Sequence, residues 1–295
     1  VQMFVYIAGA LVVFFALLNL IPGGWSDVWQ AGQAAAKFRV FDLSVDPKTT
    51  YTLWAGVLGG VALTLATHGT DQFLVQRLLS ARSARAAQTG LILSGLIVFA
   101  QFTLFLAIGV MLWRYYQLNP LATPLATNDA VLPTFVVTSL THGAAGFIVA
   151  AIVAAALSPS INSMASTTVN DFYAKYWNPG ADEATLMRVS RAATIFWGVA
   201  QIGVALGAQW IKSVLDSGLA VLSLSAGPVL GAFLVGVLSR RVGAAHMLIG
   251  MAAGFAALIY IWWFALTGFT WYAFAGSAVT AIVAHAAARI APRRT

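Results

Sequence analysis

The chain has 295 residues, of which 60% are hydrophobic and only 8% charged, a balance that excludes a soluble domain and indicates an integral membrane protein. Its apolar runs are far longer than the alternating segments of about ten residues found in a barrel, so the expected class is an all-α helical bundle. The net charge of +7 comes without a basic run interleaved with aromatics, which speaks against nucleic acid as a partner, and the lack of cysteine excludes disulfides and thiolate metal sites.

Eight apolar segments follow one another, near 3 to 20, 52 to 76, 89 to 115, 144 to 170, 189 to 211, 218 to 238, 244 to 266 and 270 to 288. They are expected as eight transmembrane helices in a single transmembrane domain over residues 1-295. Val1 opens inside the first of them with neither a start Met nor a charged stretch before it, so it is read as neither a signal peptide nor a natural N-terminus, and further sequence is expected upstream.

An even number of spans puts both ends on one side. That side holds eleven of the sixteen Lys and Arg, among them Arg77, Arg82, Arg85, Arg240 and Arg241; the other side holds Lys37, Arg39, Lys48, Arg114 and Lys212. The basic excess marks the cytoplasmic face. The expected location is a bacterial inner (plasma) membrane, with both ends of this segment in the cytoplasm.

Between the first two segments, residues 21 to 51 form a long outer connection in which Ser26 is the expected N-cap of a short helix carrying Trp25 and Trp29 as interface anchors. The second segment ends TLATHGTDQFLVQR. At 1.5 Å per residue from Thr52, His68 lies about 24 Å and Asp71 about 28 Å down, near the inner interface. Read as i and i+3 neighbours, they form either a proton relay or a structural pair, with Asp71 meeting Arg77 or a helix end. Thr67 and His68 are candidates for a substrate pathway, as is Gln101 in the third segment. The outer loop 117 to 142 contains Pro120, Pro124 and Pro133, with a short helix or extended piece expected around Val131 to Ser139, acting as a lid or as an inert cap.

The fourth segment changes character along its length. From Ile152 to Tyr173 it reads IVAAALSPSINSMASTTVNDFY, apolar first and polar afterwards. Ser158, Asn162, Ser166 and Asn170 recur every fourth position, with Ser160, Ser163, Thr167 and Asp171 beside them, so one broad helix face is hydrophilic. Counted from Gly143, Ala155 and Ala156 fall roughly 17 to 20 Å in, near the membrane midplane. Close helix packing is one reading of so many small residues; two polar stripes with an asparagine and an interior proline favour a solute or ion pathway. Pro159 lacks an amide hydrogen and is expected to kink the helix and free the Ala155 carbonyl. In the sixth segment Ser223, Ser225, Gly227 and Pro228 are the buried polar or helix-breaking positions, and the last two segments read as packing and lipid contact. No GxSxG, HExxH, P-loop or paired-carboxylate pattern is present, so nothing supports an enzyme.

HGTDQFLVQRLLSARS, SPSINSMASTTVNDFY and SAGPVLGAFLVGVLSRR resemble, in this order and spacing, the sodium:solute symporter family, which includes sodium/glucose, proline and iodide transporters. The resemblance implies a partial LeuT-type inverted-repeat helical bundle, with the first six spans here corresponding to core helices five to ten. It also implies missing N-terminal helices that supply half of the sodium and substrate sites. By position, the family's cation site takes a carbonyl at Ile152 and hydroxyls at Ala155 and Ala156, and some members use a second position at Ser158. Both principal hydroxyls are absent here, a deficit for a hard cation that needs several oxygens. The lysine of sugar transporters falls at Val98, which gives a sugar substrate no support.

The expected function is secondary active transport of a small-molecule solute as a cation-coupled symporter with an atypical sodium site and no other cofactor. The substrate pathway is expected at Thr67, His68, Gln101, Asn162 and Ser223, and an inner gate at Asp71, Arg77 and Asp171. The alternative is a transporter-like sensor or scaffold that binds solute without moving it.

Overall fold

The computed structural model describes residues 2–125, 127–156, 160–207 and 213–290. The described residues are helices and their connections, without a strand. Among the described residues six helices are long and apolar enough to cross a membrane: Met3–Leu20, Ala84–Leu118, Glu183–Gly207, Val214–Leu238, Ala244–Trp263 and Phe269–Ile290. The second and fourth expected spans contain the shorter apolar helices Ala55–Gly69 and His142–Val153. Both are followed by polar sequence: HGTD after the first, the SPSINS stretch after the second.

The chain forms two compact units. The first takes residues 1–35 and 100–214. In it, α1 (Gln2–Leu20) turns into α2 (Gly24–Ala34). Ser26 does not cap α2: Gly23 stands at the N-cap with φ 83°, followed by Gly24 at φ 55°. Two consecutive left-handed glycines let the helix restart ahead of Ser26. The later part of α5 (Ala84–Leu118), α6 (Val131–Ser139) and α7 (His142–Ala156) complete a core with α1 and α2 around Leu17, Val28, Met111 and Phe135. The loop helix expected near Val131 to Ser139 is α6. Its Phe135 is wholly buried and meets Tyr115 edge to face at 5.2 Å. Then come α8 (Ser160–Thr167), a π-helical stretch Thr168–Trp177, and α9 (Glu183–Gly207).

The second unit takes residues 36–99 and 215–295. A π-helical stretch Ala55–Gly60 leads into α3 (Val61–Gly69), and α4 (Gln72–Leu79) follows a break. Helices α10 (Val214–Leu238), α11 (Ala244–Trp263) and α12 (Tyr272–Ile290) pack closely because glycines bring their backbones together. A Cβ on Gly231 would stand 2.6 Å from Ser277 O, one on Gly250 2.6 Å from Thr280 O, and one on Gly254 2.2 Å from Thr280 Oγ1.

Candidate functional site

Helix α8 and the π-helical stretch after it have two unlike faces. Small apolar residues at Ala165 and Val169 are buried against Ala193 of α9, with Leu186, Val189 and Trp197 packed around them. Trp197 Nε1 donates to Thr168 Oγ1 at 2.9 Å, and Thr168 in turn donates to Met164 O at 2.8 Å, so the seam's polar atoms are satisfied inside it. Asn162, Ser163, Ser166, Thr167, Asn170 and Asp171 are all exposed. Asn170 Nδ2 donates to Ser166 Oγ at 3.0 Å, which aligns two members of the expected stripe. The oxygens on this side are hydroxyls, amides and the Asp171 carboxylate, a donor set suited to a hard cation or a hydroxylated solute. Since α9 is seated on the apolar face, helix packing within the unit does not account for the polar one.

Upstream of that face, α7 ends at Ala156. Ile152 is half exposed and lines a cavity of about 860 Å³ together with Tyr6 and Gly9 of α1, Ile108 and Gly109 of α5, and Ala151. Helix α1 comes close to α7 because Gly9 has no side chain; a Cβ there would stand 3.2 Å from Ala151 Cβ. Tyr6 donates its hydroxyl to Gln101 Oε1 at 3.0 Å. The expected pathway residue Gln101 is thereby joined, through Tyr6, to the cavity that Ile152 lines. Neutral polar side chains at Trp113, Tyr116, Gln117 and Asn128 complete a lining that is otherwise aliphatic or aromatic. Arg114 reaches Gln117 Oε1 with Nη1 at 3.3 Å, and its guanidinium holds both carboxylate oxygens of Asp27, at 2.7 and 2.9 Å. That hydrogen bond holds the Asp27 carboxyl below the usual carboxylate range.

Ala155 and Ala156 occupy the last two places of α7, while Ser158 and Pro159 lie outside the described residues, and so does the helix kink expected at Pro159.

The other candidates belong to the second unit. Thr67 donates to Leu63 O at 3.0 Å, and His68 Nδ1 lies 3.2 Å from Thr64 O and 3.1 Å from Thr67 Oγ1. Both side chains turn back onto the preceding turn of α3. The register that was to place His68 over Asp71 ends at Gly69, with Thr70 as C-cap at φ −117°. Asp71 therefore stands between two helices instead of on one with His68. Its backbone carbonyl accepts from Val75 N at 2.9 Å, which makes it the lead-in residue of α4. Nothing is described of the Arg77 side chain. Ser223 is 1% exposed, and its hydroxyl meets no hydrogen-bond partner among the described residues.

Sequence reasoning passed over Tyr6, Asp27 and Trp197. Tyr6 and Gln101 are 95 residues apart, and Asp27 and Arg114 are 87 apart; neither pair leaves a local pattern. The one signal available was that Arg114 is a fixed charge close to the end of an apolar run and needs a counter-ion.

The family model of the sodium:solute symporter family matches residues 1–254. The sodium-dependent multivitamin transporter of Oryctolagus cuniculus is 29% identical over 270 residues, covering 86% of this chain and 41% of that protein. The sodium/sialic acid symporter of Proteus mirabilis is 28% identical over 260 residues, covering 85% of this chain and 52% of that protein. A solved structure of a Na+-coupled sialic acid symporter, in a substrate-bound outward-open state with a novel Na+ site, superposes with a TM-score of 0.78 at 27% identity, covering all of this chain and 62% of that one. The chain thus spans about half the length of the curated relatives it matches.

Proposed function

The chain belongs to the sodium:solute symporter family, and from that premise we propose that it forms, as one transmembrane domain, the coupling half of a secondary active transporter that moves a small solute with sodium. The observation that carries this reading is the two-faced α8. Its apolar side is closed by α9, and its polar side, Asn162 through Asp171, is left open as a wall for solute or ion. The relatives' names give sodium as the coupling ion. The cation site is proposed at the Ile152 carbonyl and the positions of Ala155, Ala156 and Ser158, atypical because both alanines lack the family's hydroxyls. Gln101, held by Tyr6, together with Asn162, Thr67, His68 and Ser223 are proposed as substrate-pathway positions, and Asp71, Arg77 and Asp171 as inner-gate positions. The other wall of the site is proposed to come from helices that correspond to the relatives' remaining length, in keeping with sites built at repeat interfaces.

In this reading the membrane is crossed eight times, by the six long helices and by two interrupted ones: Ala55–Gly69 with α4, and α7 with α8 and the π-helical stretch. The membrane is proposed to be a bacterial plasma membrane, with both ends of this segment on its cytoplasmic side. Support comes from the eleven basic residues on that side against five on the other.

The test is a chimera in which residues 1–254 replace the matching portion of the Proteus mirabilis symporter, reconstituted in liposomes with an inward sodium gradient. Sodium-driven sialic acid uptake above empty liposomes is expected. A chimera that is monodisperse and thermally stable yet neither binds sodium nor takes up solute overturns the proposal.

A further inference from the structure

Helix α10 is anchored unevenly. Its buried residues, Ser223, Gly227, Pro228, Leu230, Gly231 and Val235, all lie in the later part, and none of the nine residues from Val214 to Leu222 is buried. Pro228 carries no amide hydrogen, so the Leu224 carbonyl loses its regular partner, and the helix has a built-in place to bend between its free and its packed parts. Ser225, next to that place, donates to Leu222 O at 2.9 Å, a bond of the kind that bends helices. The 214 end is fixed by polar bonds in place of packing. Val214 N donates to Asp129 Oδ2 at 2.9 Å, and the Asp216 carboxylate accepts a short hydrogen bond from the Tyr51 hydroxyl.

Tyr51 sits on a segment that is itself fastened. Pro47 O accepts from Gly268 N at 2.7 Å, and Thr50 O accepts from Thr270 Oγ1 at 2.8 Å, so the strap is riveted to the connection between α11 and α12. Gly268 presses against Thr50, where a Cβ would stand 3.0 Å from Thr50 Cα, and the Tyr51 ring meets Phe269 edge to face at 6.1 Å. At its root, Leu53 N donates to Asp42 O at 2.8 Å and Trp54 Nε1 to Leu43 O at 3.3 Å. One partner in the Tyr51–Asp216 bond is therefore a fixed post, and the other rides on two helical turns that hold no fully buried residue and whose first amide is also tied to Asp129.

We propose that Tyr51 and Asp216 form a latch: closed, it holds the 214 end of α10 against the strap; open, it lets that end swing about the Pro228 region while the strap stays in place. Partial burial and the facing carboxylate push the Tyr51 phenol up to about 12, so its proton is retained and the latch stays a donor throughout ordinary pH. The contact depends on Asp216 offering an acceptor oxygen, and what opens it is competition for that oxygen or a pull on α10.

The chain has no cysteine, so two introduced cysteines are its only label sites. Spin labels at Lys48→Cys on the strap and Leu215→Cys on α10, in purified full chain in nanodiscs, report the latch distance by pulsed electron resonance. A control pair at Lys48→Cys and Leu266→Cys reports the strap against the connection between α11 and α12. Tyr51→Phe is expected to add a longer 48–215 population, raised roughly tenfold to a hundredfold over the parent, the worth of one hydrogen bond to a charged group. Asp216→Leu should do the same, Asp216→Asn, which keeps an acceptor oxygen, should stay close to the parent, and the 48–266 distance should stay narrow in all of them. A 48–215 distribution in Tyr51→Phe that superposes on the parent overturns the latch. So does a 48–266 distribution that broadens as much as the 48–215 one, because the strap would then be the part that moves.

Discussion

Arg114 grips Asp27 through two parallel hydrogen bonds, Nε to Oδ2 at 2.7 Å and Nη2 to Oδ1 at 2.9 Å. The clamp ties the short helix α2 to the end of α5, and its planar geometry is one that lysine does not reproduce. Arg114→Lys should therefore lower the melting temperature of the purified chain, and Asp27→Asn should do the same.

The clamp also carries a pH signature. Asp27 is held below its ordinary value of 3.8, so the folded state binds its proton less readily than the unfolded chain does. The stabilisation is therefore complete above about 3.8 and is lost as pH falls through the lower folded value. Melting curves of parent and Asp27→Asn should differ by a constant gap from pH 7 to pH 5 and converge only in stronger acid. Convergence already at pH 5 would show that the carboxylate is not what Arg114 stabilises.

The two faces of α8 should separate in mutagenesis. Thr168→Val removes the acceptor of the part-buried Trp197 indole in the seam and should cost about 0.5 to 1.5 kcal/mol of stability, the net worth of one hydrogen bond. Asn162→Ala and Thr167→Ala touch only the exposed face and should leave stability within about 0.5 kcal/mol while reducing sodium-driven uptake by the chimera. Thermal melts paired with uptake assays decide the matter. Loss of stability in the Asn162 and Thr167 variants without a specific loss of uptake would return that face to a packing role.

Glycine substitutions should sort by what the missing Cβ would meet. Gly250→Ala drives a methyl group to 2.6 Å from Thr280 O, against a backbone that cannot yield cheaply, and should cost about 1 to 3 kcal/mol. Gly236→Ala, on α10 with nothing within 4 Å, should be neutral or slightly stabilising, by up to about 1 kcal/mol. Equal effects at the two positions would mean that α11 and α12 are not packed as closely as described.

The length of the apolar runs made the helices legible, and the spacing of 162, 166 and 170 made the polar face of α8 legible, because both signals are periodic within one element. Ser26 is a good cap by type, yet the turn into α2 is set ahead of it by two glycines free to take positive φ. The spacing of His68 and Asp71 predicts neighbours on one helix, whereas α3 ends at Gly69 between them. Tyr6 with Gln101, Arg114 with Asp27 and Tyr51 with Asp216 pair across 95, 87 and 165 residues, and a single sequence records no such pairing.

The last prediction concerns the ion. Sodium stripped of water needs several oxygens to offset its lost hydration. By family position three of them come from the Ile152 carbonyl and two hydroxyl side chains, and here those two side chains are Ala155 and Ala156. Both alanines stand at the end of α7, one turn beyond Ile152, which lines the cavity with Tyr6. In the site proposed here backbone carbonyls carry the coordination, because the methyl side chains of the two alanines offer no oxygen. The chimera carrying residues 1–254 should therefore need high sodium for half-maximal uptake. Ala155→Ser with Ala156→Thr should lower that concentration roughly thirtyfold, since two added ligands to a charge at about 1 kcal/mol each are together worth about 2 kcal/mol. Sodium titration of uptake, repeated in lithium and potassium, makes the comparison. A chimera that already responds steeply and specifically to sodium, and does not change on adding both hydroxyls, would place the ion elsewhere than at the end of α7.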